Sequence, residues 1–228
     1  MYLRKEDFRL DLQLSGNLIY MGVPMALQNI ILSVGGLIVQ RIVNPFGITF
    51  IAGMTATNRL YGLLETAGIS YGYAISTFIG QNYGAGDVVR VKKGVRCGFA
   101  IGVATSVVIA AVMILLGKNI LMLFISGSAQ EIAATMEVAY YYLLIMSILL
   151  PTLYCLHILK FTLIGLGNSL YPMLSGVAEF VMRVASALII PVYFGNMNVF
   201  FAEPIAWIGA DIVMAIGYVA CMKKVKKK

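Results

Sequence analysis

The run FIAGMTATNRLYGLLETAGISYGYAISTFIG, residues 50–80, is mostly apolar yet carries charges near its middle. As a helix with ~1.5 Å rise per residue it is ~46 Å long, which exceeds the ~30 Å hydrocarbon core of a bilayer. Asn58, Arg59, Tyr61 and Glu65 interrupt its apolar character. The stretch therefore predicts a long membrane helix that tilts or projects past the bilayer and that has one polar face.

Apolar segments of membrane-spanning length recur along the whole chain. Of its 228 residues 60% are hydrophobic and 12% are charged, whereas soluble domains carry about 25% charged residues. Such segments must be helices, because an open strand edge leaves backbone polar groups unsatisfied in lipid. The sequence predicts an all-α polytopic membrane protein with one six-helix lobe over residues 1–228 and a bend in the first helix at Pro24. The expected spans are residues 14–39, 50–80, 97–117, 138–164, 170–194 and 201–222.

The distribution of positive charge indicates an orientation in the membrane. The formal net charge is +7, but the cations cluster between spans and form no basic face interleaved with aromatic residues, so nucleic acid is not expected as a partner. Only Arg41 and Lys118 fall on the side opposite the termini. We expect a multi-pass protein of the plasma or inner cell membrane with both termini in the cytoplasm. The tail KKVKKK, residues 223–228, is expected to lie beside anionic headgroups of the bilayer.

Three residues of the second span share one helical face and form a candidate coupling site. Asn58, Tyr61 and Glu65 are spaced i, i+3 and i+7. A carboxylate near the bilayer centre costs at least ~2.5–3.5 kcal/mol, so Glu65 is expected to face the protein interior or a water-filled cavity. There it can bind a proton or another cation, with Tyr61 offering a hydroxyl or its ring. The alternative is an interhelical polar contact with no role in transport.

Other spans also hold charges. Glu179 and Arg183 are spaced i, i+4, which favours an ion pair on one helix. Asp211 lies near the centre of the last span without a partner on its own helix, and Glu203 is expected at the interface. Arg59 is expected to pair with a residue of another helix or to lie at the outer interface.

The fourth and first expected spans also contain polar residues that are candidates for a cavity. Tyr154, His157 and Lys160 share one face, and Lys160 is expected to extend to the headgroups. Gln28 and Asn29 suit interhelical hydrogen bonds and ligand contacts equally well. The cavity candidates are Gln28, Asn29, Tyr154, His157, Glu179, Arg183 and Asp211. With one histidine in the chain, no histidine-based metal centre is expected.

Several segments together resemble the multidrug and toxin extrusion (MATE) family. They are GVPMALQNIILSVGGLIVQ (22–40), GQNYGAGD (80–87) at the end of the second span, and GLGNSLYPMLSGVAEFVMRV (165–184). The resemblance implies two six-helix lobes, of which this chain resembles the second, around a central cavity. It implies export of amphipathic or cationic small molecules in exchange for H⁺ or Na⁺. The partners implied are such substrates, the lipid bilayer, and a missing N-terminal lobe or a second copy.

This sequence departs from the family pattern in its first span. Some members of the family carry an acidic residue midway along that helix, whereas this chain has Leu32, Ser33 and Val34 at the comparable depth. A cation site would then depend on Glu65, with Tyr61 and Asn58.

Two other functions remain open from the sequence. One is a related flippase for lipid-linked oligosaccharides or polysaccharides, and the other is a non-transporting substrate-capture or accessory subunit. An enzyme is not expected, since the chain has no HExxH motif and no nucleophile elbow, and no catalytic residue is assigned.

Overall fold

The structure is a computed structural model that describes residues 11–225, with side chains as far as Lys223. The predictions for the cations before residue 11 and for most of the tail 223–228 lie outside this range.

Seven α-helices account for almost all of the described chain, and residues 11–225 contain no strand. This confirms the predicted all-α fold. The helices are α1 (Leu12–Val43), α2 (Ile48–Gly84), α3 (Val88–Leu121), α4 (Ala129–Ile148), α5 (Leu150–Gly165), α6 (Leu170–Phe194) and α7 (Ala202–Val225). Short 3₁₀ turns at Asn44–Phe46 and Asn196–Phe201 precede α2 and α7.

The fourth expected span, residues 138–164, differs most from the structure because it is divided into α4 and α5. The division is at Leu149, whose backbone has φ −97° and ψ 5°. Pro151 lies in the first turn of α5. It has no N–H to donate to the preceding turn, so α4 ends before it and α5 begins with the proline at a position where no donor is needed. Pro24, in contrast, lies within an uninterrupted α1.

Five helical segments are long and apolar enough to cross a membrane: Leu12–Phe46, Val88–Leu121, Ala129–Ile148, Leu170–Phe194 and Asn196–Lys223. Five candidate spans in the described residues indicate a multi-pass membrane protein. The second span, α2, is not among them although it has 37 residues. Its length of ~55 Å exceeds the bilayer core. Its exposed face carries polar residues, among them Arg59, Thr66, Ser70 and Thr77.

Side chains next to the helix starts fix where several helices begin. The Asp11 carboxylate accepts hydrogen bonds from the backbone N–H groups of Gln13 and Leu14, at the start of α1. At the start of α4, Ser128 and Glu131 form a reciprocal capping box. These contacts satisfy backbone donors that a helix leaves free in its first turn.

The central helix of the bundle is α5, which packs against α2, α3 and α7. Ten of its residues are buried, among them Tyr154 and His157. Around it, α1 packs on α6, and α6 packs on α7. Because α5 is surrounded by other helices, its polar residues must face protein or an internal cavity.

Candidate functional site

A cavity of about 370 Å³ opens between α1, α2, α5, α6 and α7. Its wall combines apolar and aromatic side chains with polar or charged ones contributed by α2, α5, α6 and α7, and with two amides from α1. The polar lining residues are Gln28, Asn29, Tyr61, Glu65, Tyr73, His157, Lys160, Glu179, Arg183 and Glu203.

The α2 wall of the cavity presents Tyr61 and Glu65 one turn apart, as their spacing predicts. The ring of Tyr61 stacks on the ring of Trp207 from α7, with centroids 5.8 Å apart and an interplanar angle of 13°. Trp207 is 1% exposed. This stack fixes the tyrosine ring as an aromatic wall beside the glutamate.

Glu65 lies close to His157 of α5. The distance from Glu65 Oε1 to His157 Nε2 is 3.6 Å, which is too long for a hydrogen bond. Gly68 permits this approach, because a Cβ there would lie 3.1 Å from the Cδ2 atom of the imidazole. The Glu65 side chain is 33% exposed, so its carboxylate is accessible from the cavity. Within residues 11–223 the Glu65 carboxylate accepts no hydrogen bond and both His157 nitrogens lack a hydrogen-bond partner.

On the opposite wall the guanidinium of Arg183 joins two carboxylates. Its Nη2 atom lies 2.5 Å from Glu179 Oε1 on the same helix and 2.9 Å from Glu203 Oε2 on α7. The i, i+4 pair predicted from the sequence is therefore confirmed. We call Arg183, Glu179 and Glu203 the arginine cluster. In it both carboxylates have a cationic partner.

Lys160 lines the same cavity one turn beyond His157. It is half-buried, and in the described part of the chain it forms neither an ion pair nor a hydrogen bond. Lys160 was also predicted to reach the headgroups, and that expectation stays a prediction. We call Glu65, His157 and Lys160 the Glu65 group.

The first helix contributes two amides. Gln28 is 2% exposed, and its Oε1 atom is buried without a hydrogen-bond partner among the described residues. Asn29 is exposed and lines the cavity. Both were predicted as cavity candidates, and the structure brings them together with the charged residues of α5 and α6.

Three of the predicted site residues do not line this cavity. Asn58 instead accepts a hydrogen bond from the Tyr142 hydroxyl of α4, at 3.1 Å. The Tyr154 hydroxyl donates to the Leu64 carbonyl, at 3.1 Å. Asp211 lies outside the lining, with its Oδ1 atom buried and without a hydrogen-bond partner in residues 11–223.

Arg59 lies away from the arginine cluster. It is exposed, forms no ion pair within the described range, and lines a second cavity of about 270 Å³ near the connection between α3 and α4. Threonine and serine side chains, but no carboxylate, accompany it there. Of the two alternatives expected for Arg59, the interhelical ion pair is absent from this part of the chain, and the place at the outer interface stays a prediction.

The sequence analysis missed Glu203 and Trp207 as parts of the cavity. Glu203 is the second residue of α7, and only the packing of α7 against α6 brings it to Arg183. The sequence nevertheless contains a pattern that places these two residues together. Glu203 and Trp207 are spaced i, i+4, so they share one face of the last helix.

The MatE family model matches residues 24–189 of this chain. The chain belongs to the MatE family. This confirms the resemblance drawn from the sequence, and the matched region includes α2, α5 and most of α6.

Two probable multidrug resistance proteins of Bacillus subtilis (strain 168) are similar in sequence. YoeA is 25% identical over 151 residues, which is 57% of this chain and 33% of YoeA. YpnP is 30% identical over 112 residues, which is 49% of this chain and 25% of YpnP. The matched part of the chain therefore spans a third or less of these curated relatives.

Solved MATE structures share the fold. A MATE crystal structure in complex with MaL6 gives a TM-score of 0.88 at 16% identity, over 99% of this chain and 51% of that chain. An outward-facing multidrug resistance MATE transporter gives 0.86 at 17% identity, over 99% and 50%. A MOP superfamily transporter from Pyrococcus furiosus gives 0.85 at 16% identity, over 99% and 50%. The chain thus corresponds to about half the length of each structure.

Proposed function

We propose that this chain forms one lobe of an exporter that moves amphipathic small molecules across the cell membrane in exchange for a monovalent cation, H⁺ or Na⁺. The observation that carries the proposal is the open carboxylate of Glu65 in a cavity of about 370 Å³, within 3.6 Å of a histidine that has no hydrogen bond in residues 11–223. A carboxylate near the middle of a membrane helix is costly and is expected to serve ion or substrate passage.

Glu65 and its neighbours form the cation site in this proposal. The carboxylate binds the incoming cation, and the stacked ring of Tyr61 provides an adjacent aromatic face that favours positive charge. The cavity alternates between two conformations, each open to one side of the membrane. Binding of the cation favours one conformation, and binding of the exported molecule favours the other. Asn58 is not part of this cation site, because it lies outside the cavity lining and its Oδ1 atom accepts a hydrogen bond from the Tyr142 hydroxyl.

The apolar and aromatic part of the wall receives the exported molecule. Met25, Leu32, Leu153, Trp207 and Met214 line the cavity together with the charged residues. Methionine side chains adapt to varied shapes, which suits recognition of dissimilar amphiphiles.

The exporter needs a second six-helix unit. We propose that it is the N-terminal lobe of a longer polypeptide or a second copy of this chain, with the termini of this lobe in the cytoplasm. An antibody against the C-terminal tail distinguishes the two on blots of native membranes. A band near twice 24.8 kDa supports a two-lobe polypeptide, and a band near 24.8 kDa supports a pair of chains.

The test of the function is Glu65→Gln in the full native protein, reconstituted in vesicles with an imposed pH or sodium gradient. We expect gradient-driven transport of a fluorescent amphiphile to fall at least tenfold while the melting temperature is retained. Glu137→Gln is the matched control, because Glu137 is exposed on α4 outside the cavity lining. Unchanged gradient dependence in Glu65→Gln contradicts the site. Comparing the two gradients identifies the coupling ion.

A further inference from the structure

The charges around the cavity fall into two sets that differ in what they leave for a bound molecule. In the arginine cluster the guanidinium of Arg183 is engaged by Glu179 and Glu203, at 2.5 and 2.9 Å. Its positive charge is therefore already matched within the protein. Lys160 supplies the other permanent positive charge among the residues that line this cavity.

The ammonium group of Lys160 forms no direct ion pair in the described residues, although the carboxylates of Glu179 and Glu65 attract it from a greater distance. Of the three carboxylates in the wall, two are held by Arg183 and the third, Glu65, lies beside His157. No carboxylate oxygen of the described residues is in ion-pair contact with the Lys160 nitrogen. A half-buried cation without a contacting anion is unfavourable, because it loses hydration and gains only a distant ionic attraction in return.

The surroundings of Lys160 also suit an amphiphile. Phe161, the next residue, packs edge-on against Tyr73 of α2, with ring centroids 4.9 Å apart. Both rings line the cavity with Lys160. A molecule with an aromatic body and an anionic group can therefore place its body on the rings and its charge on the ammonium.

A purely cationic substrate would meet Lys160 with the wrong sign. Two like charges repel more strongly in a partly buried site than in water, because the effective dielectric constant there is lower. The carboxylate of Glu65 offsets this repulsion only when it is not occupied by the coupling cation. The lysine thus distinguishes between molecules that share an apolar body but differ in charge.

We propose that Lys160 is a specificity-determining residue that binds an anionic group, a carboxylate or a phosphate, of an amphipathic molecule in this cavity. The inference rests on the proposed function only in taking the cavity as the substrate site. It goes beyond that function by stating that the preferred molecule carries a negative charge and that Lys160 recognises this charge.

The test compares two dyes that share one cationic aromatic body. Rhodamine B carries a free carboxylate, and rhodamine B ethyl ester has the same body with that carboxylate esterified. Equilibrium binding of each dye to the purified full native protein is measured by fluorescence polarisation without an ion gradient. Wild type should bind the acid more tightly than the ester. Lys160→Met should weaken binding of the acid about tenfold and leave the ester unchanged or tighter.

Two further variants separate the charge of Lys160 from its shape and from its location. Lys160→Arg keeps the charge and should retain the preference for the acid, although its geometry differs. Lys93→Met removes an exposed lysine of α3 outside the cavity and should change neither dye. Melting curves of all variants establish that each is folded.

The outcomes separate this inference from the proposed function. If wild type binds the ester as tightly as the acid, binds no acid, or if Lys160→Met changes both dyes equally, the inference is overturned. Gradient-driven export of the ester in that case still supports the exporter. If the preference depends on Lys160 but no gradient drives export, the inference is supported and the exporter is contradicted.

Discussion

The arginine cluster and the Glu65 group line the same cavity, but the charges of the first are paired with one another and those of the second are largely unpaired. In the first, one guanidinium holds two carboxylates at 2.5 and 2.9 Å and links α6 to α7. In the second, the shortest ion-pair distance is the 3.6 Å between Glu65 Oε1 and His157 Nε2. Lys160 forms no ion pair in the described residues. Each group contains three titratable or charged side chains, but the first has one cation between two carboxylates and the second has one carboxylate beside a histidine and a lysine.

The difference separates charges that hold the fold from charges that are available to a ligand. Removing one member of a buried ion pair leaves an uncompensated charge and is strongly destabilising. Removing a member of the Glu65 group breaks no hydrogen bond, so its main effect should appear in binding or transport. Glu65→Gln, described above, tests the open group, and the following variants test the remainder of this comparison.

The largest loss of stability is expected for Arg183→Gln. The substitution removes the cation that contacts the carboxylates of Glu179 and Glu203. Water compensates little for this loss, because the Arg183 side chain is 12% exposed and those of Glu179 and Glu203 are 8% and 23% exposed. We expect the protein to be less stable by about 3 kcal/mol. The fluorescence of Trp207, the only tryptophan of this chain, reports melting of the purified chain in detergent.

Arg59→Gln is the control for this prediction. It removes the same charge from an exposed position without an ion pair in residues 11–223, and should change stability by less than about 0.5 kcal/mol. The double variant Arg183→Gln with Glu179→Gln should recover part of the loss, because one uncompensated carboxylate is removed. Equal melting of the two single variants would show that the arginine cluster does not stabilise the fold.

A smaller loss is expected when the Glu65 group is displaced without changing its charges. Gly165 at the end of α5 touches α2, and an added Cβ would lie 2.7 Å from the Ser76 carbonyl oxygen and 3.0 Å from the Ile79 Cβ atom. Gly165→Ala must therefore separate α5 from α2. We expect a loss of about 2 kcal/mol, as for other overpacked interfaces.

Transport and stability should fall together in Gly165→Ala, because α5 carries His157 and α2 carries Glu65. Gly84→Ala is the control, since a Cβ at Gly84 has no other atom within 4 Å. It should melt within about 0.5 kcal/mol of wild type. A Gly165→Ala protein with normal stability would show that α5 and α2 adapt at this contact.

The sequence was most informative where the relevant geometry lies within one helix. The common face of Tyr61 and Glu65 and the pair of Glu179 with Arg183 both follow from a period of 3.6 residues. The class of fold was predictable for the same reason, since apolar length and backbone hydrogen bonding leave few alternatives in a membrane. Residues that meet only after several helices have packed were not accessible in this way.

The pairing of Glu203 with Arg183, the inward position of Lys160 and the contact of Asn58 with Tyr142 depend on how helices pack. Helical spacing gives the face of each residue but not the neighbour that this face meets. The division at Leu149 is a different kind of miss, because Pro151 was visible in the sequence and is a known site of helix interruption. Giving more weight to that proline would have separated α4 from α5.

The smallest effect is expected for Asn58→Ala, which tests whether Asn58 belongs with the fold or with the Glu65 group. Its Oδ1 atom accepts a hydrogen bond from the hydroxyl of Tyr142, a residue that is 2% exposed. Losing this bond should lower the unfolding free energy by about 1 kcal/mol. Asn58 lies outside the cavity lining, so the ion dependence of transport should not change.

Tyr142→Phe should give a loss of similar size, and the double variant should lose less than the sum of the two single losses, because both remove the same hydrogen bond. Chemical denaturation of the purified chain in detergent measures all three values. The contrary result is an Asn58→Ala protein that melts normally but has altered proton or sodium dependence. Asn58 would then be a coupling residue together with Glu65. The polar residues of α2 that are available to the ion would extend one turn further toward the start of that helix.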